Sequence, residues 1–200
     1  TGLIRALQPK TWGGMALKLS EWLCVLDKLG QGDLSVAWNV ANLTLHHRTL
    51  ALFSKEAQRE VWGENPDALI AAGIAYPQGR ARKADGGYVI SGRWNFSSGV
   101  NIAEWCMLAV TVRYGDEVID HRMCLLDKSQ YEVVDDWHVM GMRSTGSMTV
   151  IVKDVFVPEY RALCAYDIRG GATFPASSSR IGHFFYSLHV SRFSIPFPLR

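Results

Sequence analysis

Apolar residues in the first third of the chain fall at helical spacing. After the Gly13-Gly14 break, Leu19, Trp22, Leu23, Leu26 and Leu29 recur at steps of three and four, which predicts one apolar stripe on a helix from Met15 to Leu29. Gly30-Gln31-Gly32 should end it. Asp33 has the side chain of an N-cap for a second helix running from Leu34 to Phe53. That segment is apolar nearly all round, with Val36, Trp38, Val40, Leu43, Leu45, Leu50 and Phe53, and so predicts a helix enclosed by neighbours. Ser54 can cap a third, short helix that reaches Trp62 and is stopped by Gly63 and Pro66.

The period then changes. Tyr88 to Phe96 mixes β-branched and aromatic residues after the turn Asp85-Gly86-Gly87, and reads as a strand. A second strand runs from Glu104 to Tyr114, and Gly115-Asp116 turns it into a third from Val118 to Leu126. Thr149 to Val157 alternates strongly and is closed by Pro158. Strands at this spacing predict an antiparallel sheet or small barrel. From Tyr166 the chain is Gly/Ser-rich and then aromatic, and another helix is expected to begin near Phe184. Helices followed by strands followed by a helical start make an α+β arrangement. It divides into a helical part over 1–66, a β part over 67–165, and a linker with the start of a further helical region over 166–200.

Composition adds exclusions. With 48% apolar and 20% charged residues and a formal charge of +2, the 200-residue chain has an ordinary globular balance and no basic stripe, so no nucleic-acid partner is expected. No apolar run is long enough to span a bilayer, and the start is not a signal peptide, so no membrane partner is expected either. Cys24, Cys106, Cys124 and Cys164 are far apart and form no C-x-x-C pair, which predicts reduced, mostly buried thiols in a cytoplasmic protein. Thr1 opens without a starting Met, and the tail around Phe193 to Phe197 is apolar, so both ends read as cut.

Three features could carry chemistry. Phe96-Ser97-Ser98-Gly99 places two hydroxyls at the end of an aromatic strand, where they could meet a planar cofactor; strand-end turn chemistry explains the same residues. His46 follows Trp38 by eight residues, slightly more than two helical turns, so both should point the same way. It reads either as a satisfied core histidine or as an acid–base group in a closed pocket, while His47 points elsewhere, towards solvent. Met142 to Ser147 is a hydroxyl-rich turn that could contact a cofactor or anion through backbone N–H groups, or be only a turn. No Rossmann, P-loop, zinc-hydrolase or nucleophile-elbow motif is present, and the remaining histidines lack metal-ligand spacing.

Ile90-Ser91-Gly92-Arg93-Trp94-Asn95-Phe96-Ser97-Ser98-Gly99 resembles the flavin-contacting strand of the acyl-CoA dehydrogenase superfamily, and more closely its flavin-dependent aromatic hydroxylase branch. Asp136-Trp137 with Gly141 to Ser147 and Val155-Phe156-Val157-Pro158 is similar to that branch's second signature, and Gln8-Pro9-Lys10 and Gly32 to Trp38 fit its helical part in order. The dehydrogenase Trp-Ile-Thr is replaced here by Phe96-Ser97-Ser98, which favours the hydroxylases. The resemblance implies an acyl-CoA dehydrogenase-like fold whose C-terminal four-helix bundle is largely missing from this chain. It implies the oxygenase component of a two-component monooxygenase, a homotetramer when full-length. Such an enzyme takes reduced FMN or FAD from a flavin reductase, uses O₂, and hydroxylates a small phenolic or indolic substrate through a C4a-hydroperoxyflavin. Phe96, Ser97, Ser98, Thr145 and Ser147 would bind the cofactor, with Ser98 at the flavin N5. His46 would meet the substrate hydroxyl and act with Ser98 in catalysis, and Trp38 would line the substrate pocket. The alternatives are an acyl-CoA dehydrogenase-like thioester oxidation or a non-catalytic piece of the fold, and without the bundle the chain is expected to be a poor enzyme.

Overall fold

The structure, a computed structural model, describes residues 2–75 and 78–168. The start of a helix expected near Phe184, and nearly all of the linker region 166–200, lie outside these residues.

Three helices precede the sheet: α1 (Leu19–Gly32), α2 (Leu34–Leu50) and α3 (Lys55–Trp62). The two expected caps form. Asp33 accepts from the Val36 N–H at 2.9 Å and Ser54 from the Ala57 N–H at 3.1 Å. Each satisfies a donor that the first helical turn leaves orphaned. Helix α1 starts at Leu19 rather than Met15 and runs through Gly30 and Gly32, whose freedom to break a helix is not used. Helix α2 is not enclosed: Leu34, Val36, Trp38 and Leu45 are exposed, while Ala37, Leu43, His47 and Leu50 face inward. An all-round apolar pattern therefore marks one face against the core and a second, uncovered face.

Among the described residues the sheet has eight strands: β1 (Ile70–Gly73), β2 (Gly79–Ala84), β3 (Gly87–Ser97), β4 (Trp105–Tyr114), β5 (Glu117–Asp127), β6 (Glu132–Val134), β7 (Met148–Pro158) and β8 (Ala162–Cys164). Their order is β6-β7-β3-β2-β4-β5-β8, with β1 also paired to β4. The expected antiparallel pairing holds for five of the seven ladders, but β1 and β2 run parallel to β4. They share one edge of it, β1 beside Trp105 to Leu108 and β2 beside Val110 to Val112.

Both faces of the central strands are buried, as the alternation in β4 shows. Cys106, Leu108 and Val110 join a core with Ile90, Trp94, Leu126 and Val150. Met107 and Ala109 join another with Leu50, Phe53, Val61, Trp62 and Leu125, where the ends of α2 and α3 cover the sheet. Trp94 lies in a slot made by glycines from three strands. A Cβ on Gly73 would come within 2.7 Å of its Cβ, one on Gly79 within 2.1 Å of its Cζ2, and one on Gly92 within 2.8 Å of its Cη2. Its indole N–H donates to the Ala109 carbonyl at 2.8 Å, so its one polar atom is satisfied in a dry core. Trp94 thus anchors β3 four residues before Ser98.

Candidate functional site

Strand β3 ends irregularly. Its register against β7 shifts between Trp94 and Ser97, and Phe96 sits at φ 66°, an uncommon conformation for a bulky residue. The shift turns the Phe96 ring outward, 70% exposed, where it meets Trp137 edge-on with ring centroids 6.0 Å apart. Ser97 points inward and is fully buried, and its hydroxyl has no hydrogen-bond partner. Ser98, on the opposite side, is half-buried.

The turn after β3 is bound to the loop before β7. The Gly99 N–H donates to the Thr145 carbonyl at 2.8 Å. Ser98 Oγ lies 2.8 Å from Ser147 Oγ, which lies 2.7 Å from Thr145 Oγ1, and Thr145 Oγ1 donates to the Met142 carbonyl at 2.8 Å. Helix α2 closes the cluster from above: the Trp38 indole N–H donates to Ser98 Oγ at 2.9 Å, and the Asn39 amide donates to the Ser144 carbonyl at 3.1 Å. Two signatures far apart in sequence and a helix thus converge on one hydroxyl cluster. Beside it opens a cavity of about 320 Å³ lined by Arg93, Asn95, Phe96, Asp136, Trp137, Ser147 and Thr149. Arg93 and Asp136 form an ion pair across it at 3.1 Å. Asp136 also accepts from the Thr149 N–H at 3.0 Å, and these contacts hold its carboxyl below the usual range.

The expected site residues therefore separate. Trp38, Ser98, Thr145 and Ser147 form one connected group, and Phe96 stands exposed at its edge. Ser97, Thr145 and Ser147, at 0%, 1% and 6% exposed, lie beneath the surface, so of the expected cofactor contacts only Phe96 and Ser98 present side chains outward. His46 bonds to a different partner from Trp38: its Nδ1 is 2.6 Å from the Ile70 carbonyl, on β1. A carbonyl only accepts, so Nδ1 carries the proton and Nε2 keeps a lone pair. Burial lowers its pKa to about 4, so the ring is neutral at pH 7. His47 is not exposed, contrary to expectation. It is fully buried, stacked on Trp62, and accepts the Trp62 indole N–H at 2.9 Å through Nδ1. Burial also lowers its pKa to about 4, and neighbouring His46 adds to that.

Sequence reasoning did not select Asn39 or Trp137 for the site. Trp137 was visible within the Asp136-Trp137 signature; nothing in the chain before folding shows that Asn39 meets the loop at Ser144. Among the described residues no group of His, Cys, Asp and Glu side chains could hold a metal, and no helix is long and apolar enough to cross a membrane.

An isoalloxazine ring needs flat apolar faces and a polar atom beside its central nitrogens. The exposed Phe96 and the half-exposed Trp38 supply apolar faces and the half-buried Ser98 hydroxyl a polar atom, so these residues fit such a group.

No family model matches the chain. Its sequence is 39% identical over 162 residues to the flavin-dependent monooxygenase oxygenase subunit HsaA of Mycobacterium tuberculosis, covering 81% of this chain and 41% of that protein. It is 37% identical over 175 residues to the oxygenase component of the FADH₂-dependent resorcinol hydroxylase of a Rhizobium species, covering 86% and 42%. The crystal structure of the 3-HSA hydroxylase from a Rhodococcus species superposes with a TM-score of 0.81 at 36% identity, over 84% of this chain and 43% of that one. The chain spans about two-fifths of the length of these curated relatives. It is a homologue of the oxygenase components of two-component flavin monooxygenases, built on the acyl-CoA dehydrogenase-like fold.

Proposed function

We propose that this chain forms the flavin-contacting part of an oxygenase component that receives reduced FMN or FAD from a separate reductase and hydroxylates a small phenolic or indolic ring with O₂. The observation that carries the reading is the hydroxyl of half-buried Ser98, held by Trp38 and Ser147 at the end of a β3 strand that turns Phe96 outward. When bound, reduced flavin supplies the activation of O₂. The chain's own residues do the rest. Ser98 accepts an N–H at the edge of the ring, Phe96 and Trp38 give it apolar faces, and α2 with the 142–147 loop keeps water from the hydroxyl cluster. His46, neutral and with a free Nε2, accepts the hydrogen of a substrate hydroxyl and orients the ring. The helices to residue 66 and the sheet from residue 67 act as two domains that share a core at α3. The uncovered Leu34, Val36 and Leu45 support assembly, which we take to be a homotetramer. Four free cysteines support a reducing, cytoplasmic setting.

Anaerobic titration with reduced and oxidised FMN and FAD, followed by O₂ and a panel of phenols and indoles, tests the proposal. Preferential binding of a reduced flavin, with hydroxylated product where the chain is competent for turnover, is expected. Tight oxidised FAD retained through purification, with oxidation of an acyl thioester, would instead assign a dehydrogenase. Binding of neither flavin form would make the chain a non-catalytic piece of the fold.

A further inference from the structure

The hydroxyls around Ser98 have a single consistent direction. A Ser or Thr side chain has one proton to give and two lone pairs to accept with. Thr145 must give its proton to the Met142 carbonyl, because a carbonyl cannot donate. Thr145 Oγ1 is therefore the acceptor in its contact with Ser147, and the Ser147 proton points to Thr145. Ser147 Oγ is in turn the acceptor from Ser98, so the Ser98 proton points to Ser147. The Trp38 indole N–H, a donor only, occupies one lone pair of Ser98 Oγ. The run is Trp38 N–H to Ser98 to Ser147 to Thr145 to the Met142 carbonyl, and it leaves Ser98 with no proton to offer outward and one lone pair free. Its lower members are dry: Thr145 is 1% and Ser147 6% exposed, so water does not readily reorder it.

We propose that Thr145 and Ser147 are positioning residues that lock Ser98 as a pure hydrogen-bond acceptor, so that the site selects the reduced over the oxidised form of a flavin. This rests on the reading of Ser98 as the group beside the flavin's N5. In the reduced ring that nitrogen bears a hydrogen and donates; in the oxidised ring it has only a lone pair and must accept. An outward-facing lone pair on Ser98 satisfies the first and leaves the second opposed. The αL residues at both ends of the 142–147 turn, Met142 at φ 57° and Gly146 at φ 51°, set the Met142 carbonyl under Thr145 and so fix where the run ends.

Replacing the end of the run should free the proton at its start. In Thr145→Val, Ser147 loses its acceptor and can turn its proton to Ser98, which then turns its own outward. In Ser147→Ala, Ser98 loses its acceptor directly. The test is the ratio of dissociation constants for oxidised and reduced FMN, measured anaerobically by absorbance and fluorescence on the unsubstituted chain and on both variants. FAD is measured in parallel, and far-UV circular dichroism checks folding. The unsubstituted chain should favour the reduced form. That preference should fall roughly three- to tenfold in each variant, the range set by one hydrogen bond of this kind. Thr145→Ser, which keeps the hydroxyl, should restore it, whereas a purely structural role for Thr145 would weaken both flavin forms alike. If Thr145→Val does not fold, Ser147→Ala carries the same expectation on its own. A ratio unchanged in the folded variants overturns the positioning role while leaving flavin binding intact. An unsubstituted chain that prefers oxidised flavin overturns it as well. Binding of neither form by the unsubstituted chain overturns both the flavin reading and this proposal.

Discussion

His46 and His47 are adjacent in sequence, and the fold gives them different tasks. His46 keeps a lone pair on Nε2 while its Nδ1–H is anchored to Ile70; His47 is enclosed between Trp62 and the sheet, and its Nε2 finds no partner of good hydrogen-bonding geometry. Both have pKa values lowered from 6.5 to about 4. The native state therefore holds them neutral, while the unfolded chain protonates them near 6.5. Their contribution to stability is complete above pH 6.5 and is lost as the pH falls from there towards 4. For fully buried His47 the loss is on the order of 3 kcal/mol by pH 4, since each pKa unit is worth about 1.4 kcal/mol. Asp127 and Asp136 have carboxyls held below their usual value, so their losses begin only at lower pH. Denaturant unfolding at pH 7, 5.5 and 4.5 should show a fall through this window that shrinks in His47→Gln. A flat profile, or an equal fall in the variant, would show that His47 titrates normally. At this scale the sequence showed what is local. The Asp33 and Ser54 caps were legible because their partners lie three residues on. The burial of His47 was not, because Trp62 and the covering sheet are brought to it only by the fold.

Strands β3, β4, β5 and β7 were legible because each is long and alternates or is apolar throughout. Strands β1 and β2 were not, although Ala81 faces the core between the exposed Arg80 and Arg82. Short length, flanking glycines and a positively charged face hid an alternation of period two. Those glycines have a physical purpose in the slot for Trp94, which anchors the strand that delivers Ser98. A methyl group on Gly79 would meet Trp94 Cζ2 at 2.1 Å and the Ala109 carbonyl oxygen at 2.7 Å, and neither belongs to a flexible chain end. Gly79→Ala should therefore destabilise the protein by about 1–3 kcal/mol, the usual cost of overpacking a close-packed core. It should also weaken reduced-flavin binding through displacement of β3. Urea melts read the first effect. An unchanged midpoint would mean that the indole does not fill this slot. Helix α2 carries the opposite lesson: its all-round apolar pattern predicted an enclosed helix, but one of its two apolar faces covers the sheet and the other faces outward near the site.

For the molecule as a whole, four ordered sequence signatures indicated the family before any contact was known, and the fold brings three of them to one place. The turn after β3 that carries Ser98, the loop from Met142 to Ser147 and the helix carrying Trp38 meet in a single run of hydrogen bonds. Which hydroxyls reach the surface was not legible, because Ser97 and Thr145 are turned inward by a strand irregularity and a loop closure that have no local signature. The central claim is that Ser98 accepts a hydrogen bond from the N5–H of reduced flavin. Nitrogen-15 NMR of reduced FMN labelled at N5, titrated anaerobically with the chain and with Ser98→Ala, measures that bond directly. The N5–H proton should move downfield and exchange more slowly with water on binding to the unsubstituted chain, and should lose most of both effects in Ser98→Ala. A bound N5–H signal that matches free reduced FMN, or one identical in the two proteins, would contradict the assignment.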